Sequence, residues 1–130
     1  MKLAPIFACL ALVGAAQAQE ADFGQEYYQM HCAVCHGSDA RGGGPFAEAL
    51  RAEVPSLTTI ADRNDGTFPL LDVIQTIDGR TGVRGHGGPM PLYGGLFRSE
   101  LEPLHSNAGA EALIRGRTLA IAEYLMSIQE

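Results

Sequence analysis

The stretch Cys32-Ala33-Val34-Cys35-His36, which follows Tyr27-Tyr28-Gln29-Met30-His31 and leads into Gly37-Ser38, decides how the rest of this chain is read. Two cysteines separated by two residues, with a histidine directly after the second, form the C-x-x-C-H haem-attachment pattern. At a helix end, two thiols at this spacing reach the two vinyl groups of one haem and form thioethers. The adjacent histidine then lies under the iron. Cys32 and Cys35 are therefore expected to hold a single covalent haem c, with His36 as one axial iron ligand. A disulfide-exchange pair of the thioredoxin type opens a helix in a βαβ context, which this sequence lacks. A zinc site needs a further Cys or His pair at ligand spacing, and there is no second cysteine pair.

A six-coordinate haem iron takes a second axial ligand, for which Met30, Met90, Met126, His31, His86 and His105 are the available side chains. Met90 is favoured on physical grounds. Its loop, His86-Gly87-Gly88-Pro89-Met90-Pro91, is held between two prolines and has little conformational freedom to lose, so it can present a thioether from the far side of the ring. Met30, one turn before the attachment site, and Met126, near the chain end, read as core residues. His86 and an open axial position stand as the alternatives. His31 reads as solvent-facing or as a contact at the haem edge.

Working outward, the segment from about Asp22 to Cys32 reads as a first helix, with Phe23, Tyr27, Tyr28 and Met30 as its apolar pattern. Residues 37–44 read as loop, with a short helix from Phe46 to Ala52 after Pro45 and another from Thr58 or Thr59 to the turn Asn64-Asp65-Gly66. A further helix runs from Pro69 to about Ile77, with Leu70, Val73, Ile74 and Ile77 on one face and Gly79 as its stop. Arg80 to Gly95 reads as Gly/Pro-rich loop, and Phe97 to His105 as a connection without an assigned role. The last helix, capped by Ser106 or Asn107, carries Leu113, Ala120, Ile121, Tyr124, Leu125 and Ile128 at helical spacing. Nothing reads as a strand, so the fold class is all-α.

The 130 residues fit one small domain. The N-terminus has the parts of an export signal: Lys2, an apolar run from Leu3 to Ala16, and Ala16-Gln17-Ala18 as the cleavage site. The run falls short of the ~20 residues that cross a bilayer, so residues 1–18 are expected to be a leader cut after Ala18, leaving 19–130 as the domain in the periplasm, with no membrane span. Cys9 leaves with the leader. The formal charge of −6 becomes one unit more negative when Lys2 is removed, and every remaining cation is an arginine. That balance excludes nucleic acid and anionic membrane surfaces as partners.

On these residues the chain resembles the class I, single-haem bacterial cytochromes c across nearly all of its mature length. The resemblance rests on the C-x-x-C-H motif, on Gly24 and Tyr28 eight and four residues before Cys32, on Ile121-Ala122-Glu123-Tyr124-Leu125 in the last helix, and on Met90-Pro91. It implies short helices wrapped around the haem, with the terminal helices crossing where Gly24 permits close approach. It also implies that Met90 is the second ligand and that a loop proline, matched by Pro45, gives its carbonyl to the other nitrogen of His36. Arg63, Arg80 and Arg84 are expected near the haem propionates, with Arg80 first among them. The implied role is one-electron transfer without enzymatic turnover, as a free carrier or as the cytochrome subunit of a dehydrogenase or oxidase, in exchange with redox partner proteins. A gas- or peroxide-binding protein with an open axial site is the competing class.

Overall fold

The computed structural model describes residues 23–80 and 90–130. The expected leader, Arg84 and His86 lie outside these residues. Five helices organise the described chain: α1 over residues 23–31, α2 over Ala33–His36, α3 over Leu70–Asp78, α4 over Tyr93–Leu101 and α5 over Asn107–Ser127. No strand occurs among the described residues, and the all-α expectation holds.

The 21-residue α5 is the axis of the fold. Ser106 caps it, its side-chain oxygen accepting from the Gly109 N–H at 3.2 Å. Both α3 and α4 pack on α5 and on each other, and α1 joins them from another side. Ala110, Ile114, Thr118, Ile121, Ala122, Tyr124 and Leu125 are all buried, so the covered surface of α5 is wider than a single stripe. Ile114 takes the inward place expected of Leu113, which is exposed. The Thr118 hydroxyl avoids a desolvation cost by donating back to the Ile114 carbonyl at 3.0 Å.

The contact of α1 with α5 depends on one missing side chain. A Cβ on Gly24 would stand 2.1 Å from the Ala120 carbonyl oxygen and 2.8 Å from Tyr124 Cβ. Only glycine allows the two backbones this close. Tyr28 then packs on Tyr124 with ring centres 5.3 Å apart and donates its hydroxyl to the Gly37 carbonyl at 2.7 Å. Burial at that position pushes the Tyr28 hydroxyl pKa upward, keeping it a protonated donor. Met30 and Met126, expected in the core, are instead exposed on α1 and α5, and Phe23 of the α1 apolar pattern is exposed as well.

Two of the short helices expected in the middle of the chain shrink to single turns, Ala47–Ala49 and Asp62–Asn64. Neither buries a residue, so no packed face sustains further turns. The largest departure is α4, where the sequence reads as loop. Tyr93, Phe97 and Leu101 recur every fourth residue and are all buried, and that packing outweighs the poor helix propensity of Gly94 and Gly95.

Candidate cofactor site

The attachment motif is held by a hydrogen-bonded wrap of backbone. After α1, the Cys32 N–H still donates to the Tyr28 carbonyl at 2.8 Å, and α2 follows with only a turn between. The helix stops at Gly37, whose φ of +80° suits a residue without a side chain. Its last carbonyls are then satisfied from the following loop: Gly42 N–H donates to His36, Gly44 N–H to Cys35 and Phe46 N–H to Val34, at 2.8, 3.0 and 2.8 Å. A Cβ on Gly44 would stand 2.5 Å from the Ala33 carbonyl oxygen, so the loop lies directly against the helix end.

His36 is buried, and its Nδ1 lies 3.3 Å from the carbonyl oxygen of Pro55, to which it donates. The proline in this place is therefore Pro55, and the expected assignment to Pro45 is corrected. Pro45 is exposed, between the two residues whose N–H groups close the end of α2. The chain must first complete that wrap before it returns under the histidine. Burial holds the His36 pKa below the ordinary imidazole value, and the Pro55 carbonyl opposes this by favouring the protonated ring. The neutral ring with its proton on Nδ1 leaves the Nε2 lone pair for a metal.

Cys32, His36, Pro55 and Met90 are shared by two adjoining cavities of about 300 and 310 Å³. Leu50, Val54 and Tyr93 line the first; Leu57, Val73, Ile77, Ile121 and Leu125 line the second. Each cavity falls within the ~300–1,000 Å³ typical of cofactor pockets. Cys35 and His31 complete the first wall. His31 is half-buried, its ring edge-on to Phe97 and Tyr93, and the Tyr93 hydroxyl donates to its backbone carbonyl. Met30 and Met126, both exposed, are absent from either lining.

The arginine expectation changes as well. Arg80 points away from this chamber into a separate surface cavity, where its guanidinium forks onto Asp78 at 2.7 Å from both Nε and Nη2 and meets Glu111 at 2.8 Å. The buried carboxylate at the end of α3 and Glu111 of α5 together hold its guanidinium there. Arg63 lines the chamber beside Asn64, steadied by the Ser56 carbonyl at 3.0 Å. Sequence position alone does not separate the two arginines, because Glu111, one of the two acids that claim Arg80, comes from α5.

The donor set fits a covalently bound haem: two thiols at attachment spacing, a neutral imidazole, a thioether and an apolar wall converge on one space. Thiol chemistry fits poorly, since burial and the neighbouring Cys35 push the Cys32 pKa up to about 12. A nucleophilic cysteine requires the opposite shift. Searches among curated proteins and among solved structures returned no match. A family model described as Cytochrome c matches residues 21–114, spanning α1, the attachment motif, α3, α4 and the start of α5. With that match over most of its length and this donor set in its interior, the chain is a member of the cytochrome c family.

Proposed function

We propose that this protein is a periplasmic single-electron carrier, free or as the cytochrome subunit of a dehydrogenase or oxidase, with His36 and Met90 as the two axial ligands. One observation supports this above all: Cys32, Cys35, His36 and Met90 border the same apolar chamber. Haem c held there supplies a reversible one-electron couple at iron. Cys32 and Cys35 would hold it through thioethers and His36 Nε2 would be the donor available to its iron, while the Pro55 carbonyl orients the imidazole through Nδ1. Met90 would offer a soft thioether to the iron from the chamber wall, a ligand that would exclude oxygen and peroxide and favour the ferrous state. The side chains of Val54, Leu57, Ile77 and Leu125 exclude water and disfavour the extra charge of the ferric form.

In this reading residues 1–18 direct export and are removed after Ala18. The acidic chain calls for redox partners with a basic or apolar contact face. Electron transfer to a basic partner should slow with rising ionic strength; acceleration would refute that assignment.

The ligand assignment is tested on the matured protein by absorption spectroscopy. The ferric form should show a sulfur-to-iron charge-transfer band that disappears in Met90→Ala. Rapid carbon monoxide binding by the unmodified ferrous protein would instead establish an open axial site and the gas-binding alternative.

A further inference from the structure

Met90 precedes α4 by three residues, and the start of α4 lies against the end of α3. Gly79, with φ +68°, closes α3, and a Cβ there would stand 2.4 Å from Leu92 Cδ2. Gly94 lies equally close on the α4 side: a Cβ would be 2.4 Å from Asp78 Oδ1, 2.5 Å from Arg80 Nε and 2.7 Å from the Asp78 carbonyl oxygen. Leu92 and Gly94 therefore sit against residues 78–80, with glycine on one side of each contact.

Charge locks this junction. Asp78 is buried and accepts three hydrogen bonds from one residue: from the Arg80 backbone N–H at 3.1 Å and Nε at 2.7 Å on Oδ1, and from Nη2 at 2.7 Å on Oδ2, the last two bearing the guanidinium charge. Arg80 Nη1 donates to Glu111 of α5 at 2.8 Å, and Glu111 also accepts from Arg98 of α4 at 3.1 Å and Arg115 at 2.8 Å. One carboxylate on α5 thus ties the end of α3 to α4, and so fixes both stems of the Met90 segment to the helix that forms the chamber wall. The three groups at its centre are only partly exposed, with side-chain accessibilities of 21% for Arg80, 10% for Asp78 and 30% for Glu111, so solvent screens them less than an open surface pair.

We propose that Asp78, Arg80 and Glu111, with Gly79 and Gly94, form a clasp that positions Met90, making the strength of the thioether–iron bond depend on an ion-pair junction outside the haem chamber. This rests on the assignment of Met90 as ligand. A thioether is a neutral, soft ligand, and its retention depends on how little freedom the chain gains by letting go. With both stems held, the detached state gains less conformational entropy, and the bound state is favoured. The clasp residues touch neither iron nor the haem-bonding sulfurs; they act through the backbone that carries Met90.

Added imidazole measures this directly, because it binds ferric iron only when the thioether is off, so its apparent affinity reports the fraction detached. Imidazole is mostly neutral at pH 8, so a changed surface charge leaves its intrinsic affinity nearly untouched. In matured Arg80→Ala the apparent imidazole affinity should rise about tenfold, and in Glu111→Gln, which leaves the Asp78–Arg80 pair in place, about threefold. Arg115→Ala, which removes an exposed outer partner of Glu111 while leaving the Asp78–Arg80–Glu111 bonds in place, should stay within about twofold of the unmodified protein. A purely structural ion pair predicts lower thermal stability with unchanged imidazole affinity, and that result overturns the proposal; so does an equal rise in Arg115→Ala. If Arg80→Ala does not mature, Glu111→Gln decides by the same criterion. Failure of the ligand assignment reads differently: the unmodified protein then lacks the charge-transfer band, and Met90→Ala leaves imidazole affinity unchanged.

Discussion

The two sides of the haem chamber are held by different kinds of force. On the His36 side, the attachment motif is enclosed by short-range backbone bonds from Gly42, Gly44 and Phe46, by the Pro55 carbonyl, and by the close approach of Gly24 to α5. On the Met90 side, the described supports are an ion-pair junction and two glycine contacts at the base of the segment. Backbone bonds buried against a helix end respond little to salt or pH, whereas charged side chains respond to both. Under the proposed ligation, His36 would sit on a fixed mount and Met90 on one that solution conditions can loosen.

The largest perturbation should erase this difference by striking where the two sides join. Phe97 is fully buried against Tyr27, His31 and Tyr93, with the Arg117 guanidinium 5.1 Å from its ring centre. Phe97→Ala should cost about 3–5 kcal/mol, read as a fall in Tm of roughly 10 °C or more in the matured protein. A fall of only a few degrees would mean that the two sides are supported independently of α4.

A pair of glycine substitutions sharpens the contrast. Gly24→Ala presses a methyl group into the backbone of α5 and should cost about 1–3 kcal/mol while leaving the ferric charge-transfer band intact. Gly94→Ala meets Asp78 and Arg80 instead, and it should weaken that band while lowering Tm less, because two of its three close neighbours are side-chain atoms. Thermal unfolding followed alongside the visible spectrum separates the two; identical behaviour would collapse the distinction.

The smallest expected effect is the acid response. Hydrogen bonds from Arg80 and Arg115 hold the Glu111 pKa down to about 2, and Arg80 likewise lowers that of Asp78. Carboxylates depressed in the folded state stabilise it fully above their unfolded pKa and lose that contribution as pH falls through the folded value. Stability and the charge-transfer band should both decline between about pH 4.5 and pH 2, and Glu111→Gln should flatten part of that decline. A midpoint unchanged by the substitution would place the acid sensitivity elsewhere.

Much of the site is legible in the residues themselves. C-x-x-C-H carries its own spacing, so Cys32, Cys35 and His36 need no tertiary information to be singled out. Gly24, Tyr28 and Tyr124 match positions at which the family resemblance implies a helix contact, and the structure has a close backbone approach there. Met90 between two prolines is conspicuous for the same local reason. What escapes the sequence depends on distant partners. Pro45 and Pro55 both follow the motif, and only the path of the loop decides which carbonyl lies beneath His36. Arg63 and Arg80 have similar settings along the chain, yet the acids that claim Arg80 include one on α5. The helix over Tyr93–Leu101 is concealed by Gly94-Gly95, and its buried stripe becomes decisive only once α5 and the α1 aromatics are present to receive it.

By itself, then, the sequence determined the C-x-x-C-H motif that marks the chain for covalent haem and the helical class, both of which follow from residue type and spacing over a few turns, while the family resemblance pointed to Gly24 as the glycine that admits α1 to α5. Tertiary structure alone decided which proline serves the histidine, which arginine faces the chamber, and how the stems of the Met90 segment are fastened. Those choices depend on competition among groups far apart in the chain, and the winner is set by distance and burial, which no local pattern encodes.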